Sequence, residues 1–191
     1  TGCGSLVVEF QDLSTGSPDT WLWDFGNGNS SSLKNPTVIY ANPGDFNVTL
    51  NVSNSSSNDS IIANSLIKVS ENPYSELTTA SPTDGCMPIV IDFEDLSFTN
   101  NVIVNWQWDF GDGGSSNLQH PIYNYLSDGN FSVSLLVTDV NGCQSLASVN
   151  NLIDVYKVPA ASFMADIPFS CNPTELVTFI NNTLDSAIYT W

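Results

Sequence analysis

Positively charged side chains are scarce in this chain of 191 residues. Lys and Arg together number 3, against 20 Asp and Glu, which gives a formal net charge of -17. A surface of this sign repels the phosphate groups of nucleic acids and of anionic membranes. The composition therefore argues against nucleic acid as a partner. It suits a surface that faces solvent or that holds divalent cations.

Long apolar runs and helical periodicity are also missing. No apolar stretch approaches the roughly 20 residues that a membrane-spanning helix needs, and no segment shows a convincing 3.6-residue apolar period over ten or more positions. We therefore predict an all-β protein with no direct membrane insertion in this segment.

The side chains that build zinc sites and catalytic centres are few. The one histidine, His120, precedes Pro121 in an expected turn, and no Cys-x-x-Cys pair occurs. An active site needs a nucleophile with a base, a carboxylate pair, or a metal with an open position. Because nothing in the sequence singles out such a constellation, we predict that the chain is not an enzyme.

Internal repetition is the main positive feature of the sequence. Residues 21–28 (Trp-Leu-Trp-Asp-Phe-Gly-Asn-Gly) return as residues 106–113 (Trp-Gln-Trp-Asp-Phe-Gly-Asp-Gly), and residues 189–191 (Tyr-Thr-Trp) start a third copy. Trp108 lies 85 residues after Trp23, a period that indicates an array of similar units. Aromatic residues at alternate positions predict a strand with one buried face, and the glycines that follow predict a tight turn.

Short alternating segments surround this motif in both full copies. Apolar and polar residues alternate at 6–10, 46–52 and 131–137, and Gly, Pro and Asn separate the segments. Several short strands with such turns predict a β-sandwich. Residues 53–60 are expected to form a polar loop before a last strand around residues 67–69.

The repeats divide the chain into three units. We predict a first domain at residues 1–70 that lacks its first strand, a complete domain at 71–157, and the start of a third, truncated domain at 158–191. An extra leading strand at 75–80 distinguishes the second unit from the first. Because the chain begins and ends inside repeats, we interpret it as part of a longer polypeptide.

The second copy resembles the polycystic kidney disease (PKD) domain family. The resemblance is carried by residues 108–113, by Pro121 and Tyr125, and by the alternating segment at 131–137. The first copy matches at the corresponding positions, with Asn27 where the second copy has Asp, and the third copy only begins. The resemblance therefore covers nearly the whole chain.

The resemblance implies tandem immunoglobulin-like β-sandwiches arranged as a string. It also implies an extracellular or cell-surface protein whose domains act as spacers or contact proteins or carbohydrates. The cysteine near the first strands and the Asn-Gly-Cys late in the repeat are similar to those of long surface proteins of Bacteroidota. Those proteins include gliding-motility adhesins and other cargo of the type IX secretion system. We therefore expect a stalk or adhesive array, with neighbouring repeats of the same chain among its partners.

Two other functions fit the same sequence. In one, the segment is an accessory module that holds a secreted hydrolase near a polysaccharide or protein substrate. In the other, it is a subunit of an extracellular filament in which strand edges pair between chains. The sequence does not separate these functions from a stalk.

Three aspartates beside the turn are candidate calcium ligands, namely Asp24, Asp109 and Asp112. Calcium takes six to eight oxygen ligands, and the net charge suits a divalent cation. Some PKD domains of secreted proteases bind calcium near this turn, so the resemblance supports the hypothesis. The alternative is turn chemistry, in which each carboxylate accepts backbone N–H groups. No other cofactor is expected.

The tryptophans have two predicted roles. Trp23 and Trp108 fall in the apolar alternation, so we predict that they fill the sandwich core. Trp21 and Trp106 lie one period earlier, near the start of the strand. They are therefore the better candidates for contact with a ligand.

Cys86 and Cys143 are expected to form a disulfide within the second repeat. One precedes an early strand and the other follows a late one, and in an exported chain such a bridge would add on the order of 4 kcal/mol. The alternative is two buried free thiols. The first repeat has Asn58 at the position of Cys143, so we expect Cys3 to lack a partner within its own repeat. Cys171 would pair beyond residue 191.

Two serines stand in motifs similar to the O-glycosylation motif of Bacteroidota, in which Asp-Ser or Asp-Thr precedes a small or aliphatic residue. They are Ser60, before Ile61, and Ser186, before Ala187. We expect Ser60 in the polar loop and Ser186 in the turn before the last aromatic strand. Both positions suit an attached glycan.

Overall fold

The computed structural model describes residues 1–165 and 179–181, and the regular structure within these ranges is all β-strand. The all-β fold predicted from the alternating pattern is confirmed. Two immunoglobulin-like β-sandwiches follow each other along the chain, and we call them repeat one and repeat two. Within the described ranges no helix is long and apolar enough to cross a membrane.

Repeat one contains seven strands. They are β1 (Gly2–Cys3), β2 (Leu6–Glu9), β3 (Thr20–Asp24), β4 (Ser30–Ser31), β5 (Thr37–Tyr40), β6 (Gly44–Ser53) and β7 (Asn58–Ser70). The larger sheet has the order β1-β7-β6-β3-β4, and β2 pairs antiparallel with β5 to form the opposing layer. In the larger sheet β1 runs parallel to the end of β7, so the first strand and the last strand of the repeat lie side by side.

Repeat two has the same layout with one more strand. Its strands are β8 (Leu77–Thr79), β9 (Asp84–Cys86), β10 (Ile89–Asp95), β11 (Ile103–Asp109), β12 (Ser115–Ser116), β13 (Ile122–Tyr125), β14 (Gly129–Asp139) and β15 (Gln144–Tyr156). The larger sheet has the order β12-β11-β14-β15-β9, and the smaller sheet has the order β13-β10-β8. Further along, β16 (Phe163–Ala165) pairs antiparallel with β17 (Phe179–Asn181).

Each repeat is folded around a core of its own. The core of repeat two is built only from side chains of repeat two, and that of repeat one only from repeat one. Trp23 and Trp108 are 5% and 2% exposed, which confirms their predicted place in the two cores. One face of the aromatic strand therefore lies in the core of each sandwich, as its period of two indicates.

In each core, a buried tyrosine forms a hydrogen bond with the end of the aromatic strand. The hydroxyl of Tyr40 donates to the carbonyl oxygen of Phe25 at 3.1 Å, and that of Tyr125 donates to the carbonyl oxygen of Phe110 at 2.9 Å. Burial raises the pKa of both tyrosines, so both stay protonated donors at neutral pH. This contact ties β5 to the end of β3, and β13 to the end of β11.

One segment differs between the sequence expectation and the structure, and one expected strand is confirmed. Strand β7 begins at Asn58, inside the stretch that the sequence indicated as a polar loop, because its first half pairs antiparallel with β6. The expected leading strand of repeat two is present as β8, paired with β10. In the described part of repeat one, no strand corresponds to β8.

Candidate functional sites at the turn, the buried aspartates and the repeat junction

Each aromatic core strand ends in a turn that an aspartate closes. The Oδ1 atom of Asp24 accepts the N–H of Gly26 at 2.9 Å, and that of Asp109 accepts the N–H of Gly111 at 2.9 Å. These glycines have φ of 73° and 83°, and a Cβ there would collide with a backbone carbonyl oxygen of β6 or β14. The turn therefore requires glycine for both its conformation and its space.

Asp112 holds the second half of this turn in repeat two. Its carboxylate accepts the N–H of Gly114 at 2.9 Å and the hydroxyl of Tyr123 at 2.9 Å. Burial raises the pKa of Tyr123, and the hydrogen bond to Asp112 raises it further. In repeat one the Oδ1 atom of Asn27 accepts the N–H of Asn29 at 3.0 Å, so an uncharged side chain takes the same role.

The three candidate calcium ligands take part in turn hydrogen bonds. Asp24, Asp109 and Asp112 each accept a backbone N–H, as the turn-chemistry alternative predicts. In the part of the chain that the structure describes, no three His, Cys, Asp or Glu side chains form a group that could hold a metal ion. Calcium binding at this turn stays a prediction.

A further aspartate is buried at the edge of each core. Its only signal in the sequence is an Asp-Leu-Ser segment that stands at residues 12–14 and again at 95–97. In repeat two, Asp95 is 6% exposed. Its carboxylate accepts the N–H of Ser97 at 2.8 Å, the indole N–H of Trp106 at 2.7 Å and the side-chain amide of Gln119 at 3.1 Å. The N–H of Asp95 in turn donates to Nδ1 of His120 at 3.2 Å. His120 thus takes part in the hydrogen bonds around Asp95.

The counterpart in repeat one is Asp12. It accepts the N–H of Ser14 and the indole N–H of Trp21, both at 2.9 Å, and the ammonium group of Lys34 lies 3.9 Å from its Oδ2 atom. Hydrogen bonding by Ser14 is the largest cause that lowers the pKa of Asp12, and burial opposes it. Trp21 and Trp106, the candidates for ligand contact, therefore use their polar atoms to hold a buried carboxylate.

A third buried aspartate shapes the hairpin between β14 and β15. Asp139 is 1% exposed, and its Oδ1 atom accepts the N–H groups of Asn141 at 2.9 Å and Cys143 at 2.8 Å. Its Oδ2 atom accepts the side-chain amide of Asn101 at 3.2 Å. Cys143 is completely buried in this hairpin.

Cys143 is bonded to Cys3 of repeat one, and the predicted Cys86–Cys143 bridge is wrong. The Cα atoms of Cys3 and Cys143 are 5.5 Å apart, and Cys86 is an exposed free thiol. Cys3 has no partner within its own repeat, as expected, and the sequence did not indicate that its partner is Cys143 of repeat two. Cys171, the fourth cysteine, lies outside the described residues.

Strand direction explains why Cys86 and Cys143 do not pair. Strand β9 places Cys86 beside Tyr156, the last residue of β15, whereas Cys143 precedes the first residue of β15. A strand of 13 residues is roughly 40 Å long, and a disulfide needs Cα atoms within about 7 Å. The two cysteines therefore lie at opposite ends of the same sandwich.

The Cys3–Cys143 bridge closes the junction between the two repeats. Cys3 lies beside Ser70, the last residue of β7, and the N–H of Gly4 donates to the carbonyl oxygen of Ser70 at 2.9 Å. A cavity of about 440 Å³ at this point is lined by residues of repeat one and by Asn141 of repeat two. The hairpin of repeat two thus lies against the end of repeat one.

Repeat one has an apolar groove where repeat two has β8. The groove has a volume of about 490 Å³, and its walls include Trp23, Leu50 and Val52. In repeat two, Leu77 of β8 packs into the corresponding core, and Val137, the counterpart of Val52, is completely buried. Val52 is only half-buried, because no strand covers it among the described residues.

Of the two candidate glycosylation sites, the structure describes Ser60. Ser60 is exposed, but it lies in β7 opposite Asn51 and not in the expected loop. Ser186 lies outside the described residues. Attachment of a glycan to either serine stays a prediction.

Relatives of the chain are found on both repeats. The PKD domain family matches residues 5–65 and, separately, residues 70–153. A microbial collagenase of Vibrio alginolyticus is 37% identical over 97 residues, which cover 51% of this chain and 10% of the collagenase. The chain therefore corresponds to about a tenth of the length of that relative.

Solved structures of single PKD domains resemble part of the chain. The PKD1 domain of Vibrio anguillarum Epp is 23% identical with a TM-score of 0.40, and the match covers 46% of this chain and 99% of that domain. The PKD1 domain of the Vibrio cholerae metalloprotease PrtV is 26% identical with a TM-score of 0.38, over 44% of this chain and 96% of that domain. Because the family matches both repeats, the chain belongs to the PKD domain family as a tandem PKD-domain protein.

Proposed function

We propose that this chain is a non-catalytic stalk or adhesive segment of a long extracellular or cell-surface protein. The observation that carries the proposal is the covalent junction, in which Cys3 of repeat one is bonded to the hairpin of repeat two. Structural disulfides persist in oxidising compartments outside the cytosol, so the same bond supports an extracellular location.

The physical mechanism is reach combined with restricted bending. The longest strand of each repeat has 13 residues, so each sandwich spans roughly 40 Å. Repeats that follow one another carry a distal end away from the cell, and a bridge at the junction limits the angles that two sandwiches can adopt. The net charge of -17 would keep neighbouring stalks apart.

The proposed partners are proteins or carbohydrates at a cell surface, together with neighbouring repeats of the same polypeptide. The proposed setting is a surface protein of Bacteroidota that is exported by type IX secretion, such as a gliding-motility adhesin. The arrangement of cysteines in the repeat supports this setting through the resemblance described above.

The size and domain content of the native polypeptide test the proposal. The polypeptide is purified from its source, its mass is measured under denaturing conditions, and peptides outside these 191 residues are sequenced. A polypeptide of hundreds of kilodaltons built mainly from such repeats is the expected result. A polypeptide of ordinary enzyme size with a separate catalytic domain would overturn the stalk proposal.

An accessory module of a secreted hydrolase is the second candidate function. The match to part of the Vibrio alginolyticus collagenase favours it. This function predicts that the chain by itself binds an insoluble substrate such as fibrillar collagen or a polysaccharide. Co-sedimentation of the 191-residue chain with these materials, compared with an acidic protein of similar size, would support the accessory function if the chain alone is retained.

A filament subunit is the third candidate, and the open groove of repeat one favours it. A strand from a second chain would cover the groove as β8 covers the core of repeat two. Light scattering over a wide range of protein concentrations tests this function. A monomer at all concentrations would exclude assembly through the groove.

A further inference from the structure

Cys86 occupies the same place in repeat two that Cys3 occupies in repeat one. Cys3 lies beside Ser70 and Cys86 lies beside Tyr156, in both cases on a short strand parallel to the end of the last strand of the repeat. The residue after each cysteine donates its N–H to the carbonyl oxygen of Ser70 or Tyr156 at 2.9 Å. The two cysteines are therefore equivalent in backbone position and in hydrogen bonding.

In repeat one, the cysteine at this position forms a disulfide with the next repeat. Cys3 reaches forward across the junction and bonds to Cys143 in the hairpin of the repeat that follows. Asp139 accepts the N–H of Cys143 in that hairpin, and Cys143 is completely buried. Cys86 stands at the corresponding end of repeat two and is an exposed thiol among the described residues.

The hairpin position itself is occupied differently in the two repeats. In repeat two, the N–H of Asp139 donates to the carbonyl oxygen of Cys143 at 2.9 Å. In repeat one, the N–H of Asn54 donates to the carbonyl oxygen of Ser57 at 3.0 Å, so Ser57 takes the place of Cys143. The Oδ1 atom of Asn54 also accepts the N–H of Ser57 at 3.0 Å. The counterpart of Cys143 is thus Ser57 and not Asn58. Because serine has no thiol, the hairpin of repeat one cannot form a disulfide with a preceding repeat.

We propose that Cys86 is a second junction cysteine, which forms a disulfide with the hairpin cysteine of a third repeat. Each repeat that carries both cysteines would then be tied covalently to the next. Cys171 is not the proposed partner, because it follows Cys86 by 85 residues and so corresponds to Cys86 itself. The proposal rests on the equivalence of Cys3 and Cys86 and does not depend on the stalk function.

The reaction is thiol–disulfide exchange. Cys86 and the hairpin cysteine each lose a proton and an electron, and a sulfur–sulfur bond forms between them. The electron pair and the two protons reduce one disulfide of an exchange donor, such as oxidised glutathione, to two thiols. An exposed thiol satisfies the access that this exchange requires.

A polypeptide with a second copy of repeat two tests the proposal directly. Residues 1–157 are followed by another copy of residues 71–157, and the protein is folded in a glutathione redox buffer. Repeat two is a suitable unit because its core contains only its own side chains. Disulfides are then identified by mass spectrometry of peptides prepared without reduction, after free thiols have been labelled with a maleimide.

The expected result is a bond between Cys86 and Cys143 of the added copy, next to the natural Cys3–Cys143 bond. Cys86 should lose nearly all of its maleimide labelling, while Cys86 of the added copy stays labelled. A Cys86→Ser variant should leave Cys143 of the added copy labelled. The natural Cys3–Cys143 bond reports correct folding of the first junction in the same sample.

Three outcomes would overturn the proposal. In the first, Cys86 stays fully labelled although the Cys3–Cys143 bond has formed and the added copy melts cooperatively. In the second, Cys86 bonds to Cys86 of another molecule, which would make it a dimerisation cysteine. In the third, the peptide map of the native polypeptide shows Cys86 bonded to Cys171, which would exclude a bond to a hairpin cysteine.

Discussion

Cys3 is bonded to Cys143, although 140 residues separate them in the sequence and each belongs to a different sandwich. Each repeat has its own core, so the bond is not needed to complete either one. Its effect is on the junction, where it holds the hairpin of repeat two against the end of repeat one. The bond therefore links two separately packed domains covalently.

Replacing Cys3 with serine should loosen the junction. A bridge that closes so long a loop restricts the unfolded chain by about 4 to 5 kcal/mol in the chain-entropy account. We expect a lower thermal midpoint for Cys3→Ser, and a wider range of distances between the repeats by small-angle X-ray scattering. Cys86→Ser is the matched control and should change neither quantity, because Cys86 is an exposed free thiol in this chain. Identical scattering for Cys3→Ser and the wild type would contradict the assigned role.

Replacing Asp95 with alanine should destabilise repeat two. The carboxylate accepts three hydrogen bonds, so its removal leaves the donors of Ser97, Trp106 and Gln119 without their acceptor. The expected loss is about 2 to 4 kcal/mol of unfolding free energy, measured by urea unfolding followed by tryptophan fluorescence. Asp128→Ala, at an exposed position, should stay within about 0.5 kcal/mol. Equal losses for the two variants would show that the buried network has no special role.

The stability of repeat one should depend on acid pH through Asp12. Its pKa is lowered below the ordinary value of 3.8 in the folded protein, so the unfolded chain binds the proton more readily. The stabilisation by Asp12 is therefore complete above the unfolded pKa and is lost as the pH falls through the folded pKa. Urea midpoints of the wild type and Asp12→Asn, taken from neutral pH to about pH 2, should converge in acid. A constant difference between them over this range would be inconsistent with the lowered pKa.

Adding a strand ahead of Thr1 should stabilise repeat one. In repeat two, residues 74–83 lie immediately before the counterpart of Thr1 and contain β8, whose Leu77 is buried. A copy of these ten residues joined to Thr1 should fill the groove, and burial of one leucine contributes about 2 kcal/mol. The thermal midpoint of repeat one should rise. The same extension with Leu77→Asp should give no rise, and equal midpoints for both extensions would mean that the groove does not accept a strand.

Calcium and the charge of Asp112 should have little effect on stability if turn chemistry explains the aspartates. Asn27 takes the role of Asp112 in repeat one without a charge, so Asp112→Asn should retain nearly all of the stability of repeat two. Thermal midpoints in millimolar calcium and in chelator should then agree. A rise of the midpoint in calcium that Asp112→Asn abolishes would instead establish a calcium site at the turn.

The strands and core of each repeat were predictable because they depend on local alternation. The apolar residues from Phe46 to Val52 all lie in β6, and Trp23 and Trp108 lie in the cores, as their spacing indicates. The first half of β7 was missed because residues 58–60 are polar, and their strand conformation comes from pairing with β6. The role of Asp95 as a buried hydrogen-bond acceptor was missed, because its three donors come from separate segments of the chain.

The sequence by itself determined that the protein consists of repeated β-sandwiches built around an aromatic strand and a glycine turn, since side-chain alternation and backbone freedom are local properties. Only the tertiary structure decided the partner of Cys143. Cys3 ends a short strand ahead of β2, and Cys86 ends a short strand ahead of β10, so nothing in their local sequence separates them. The choice depends on which ends of the sandwiches meet, because strand direction puts Cys86 at the far end of repeat two and brings Cys3 to the junction.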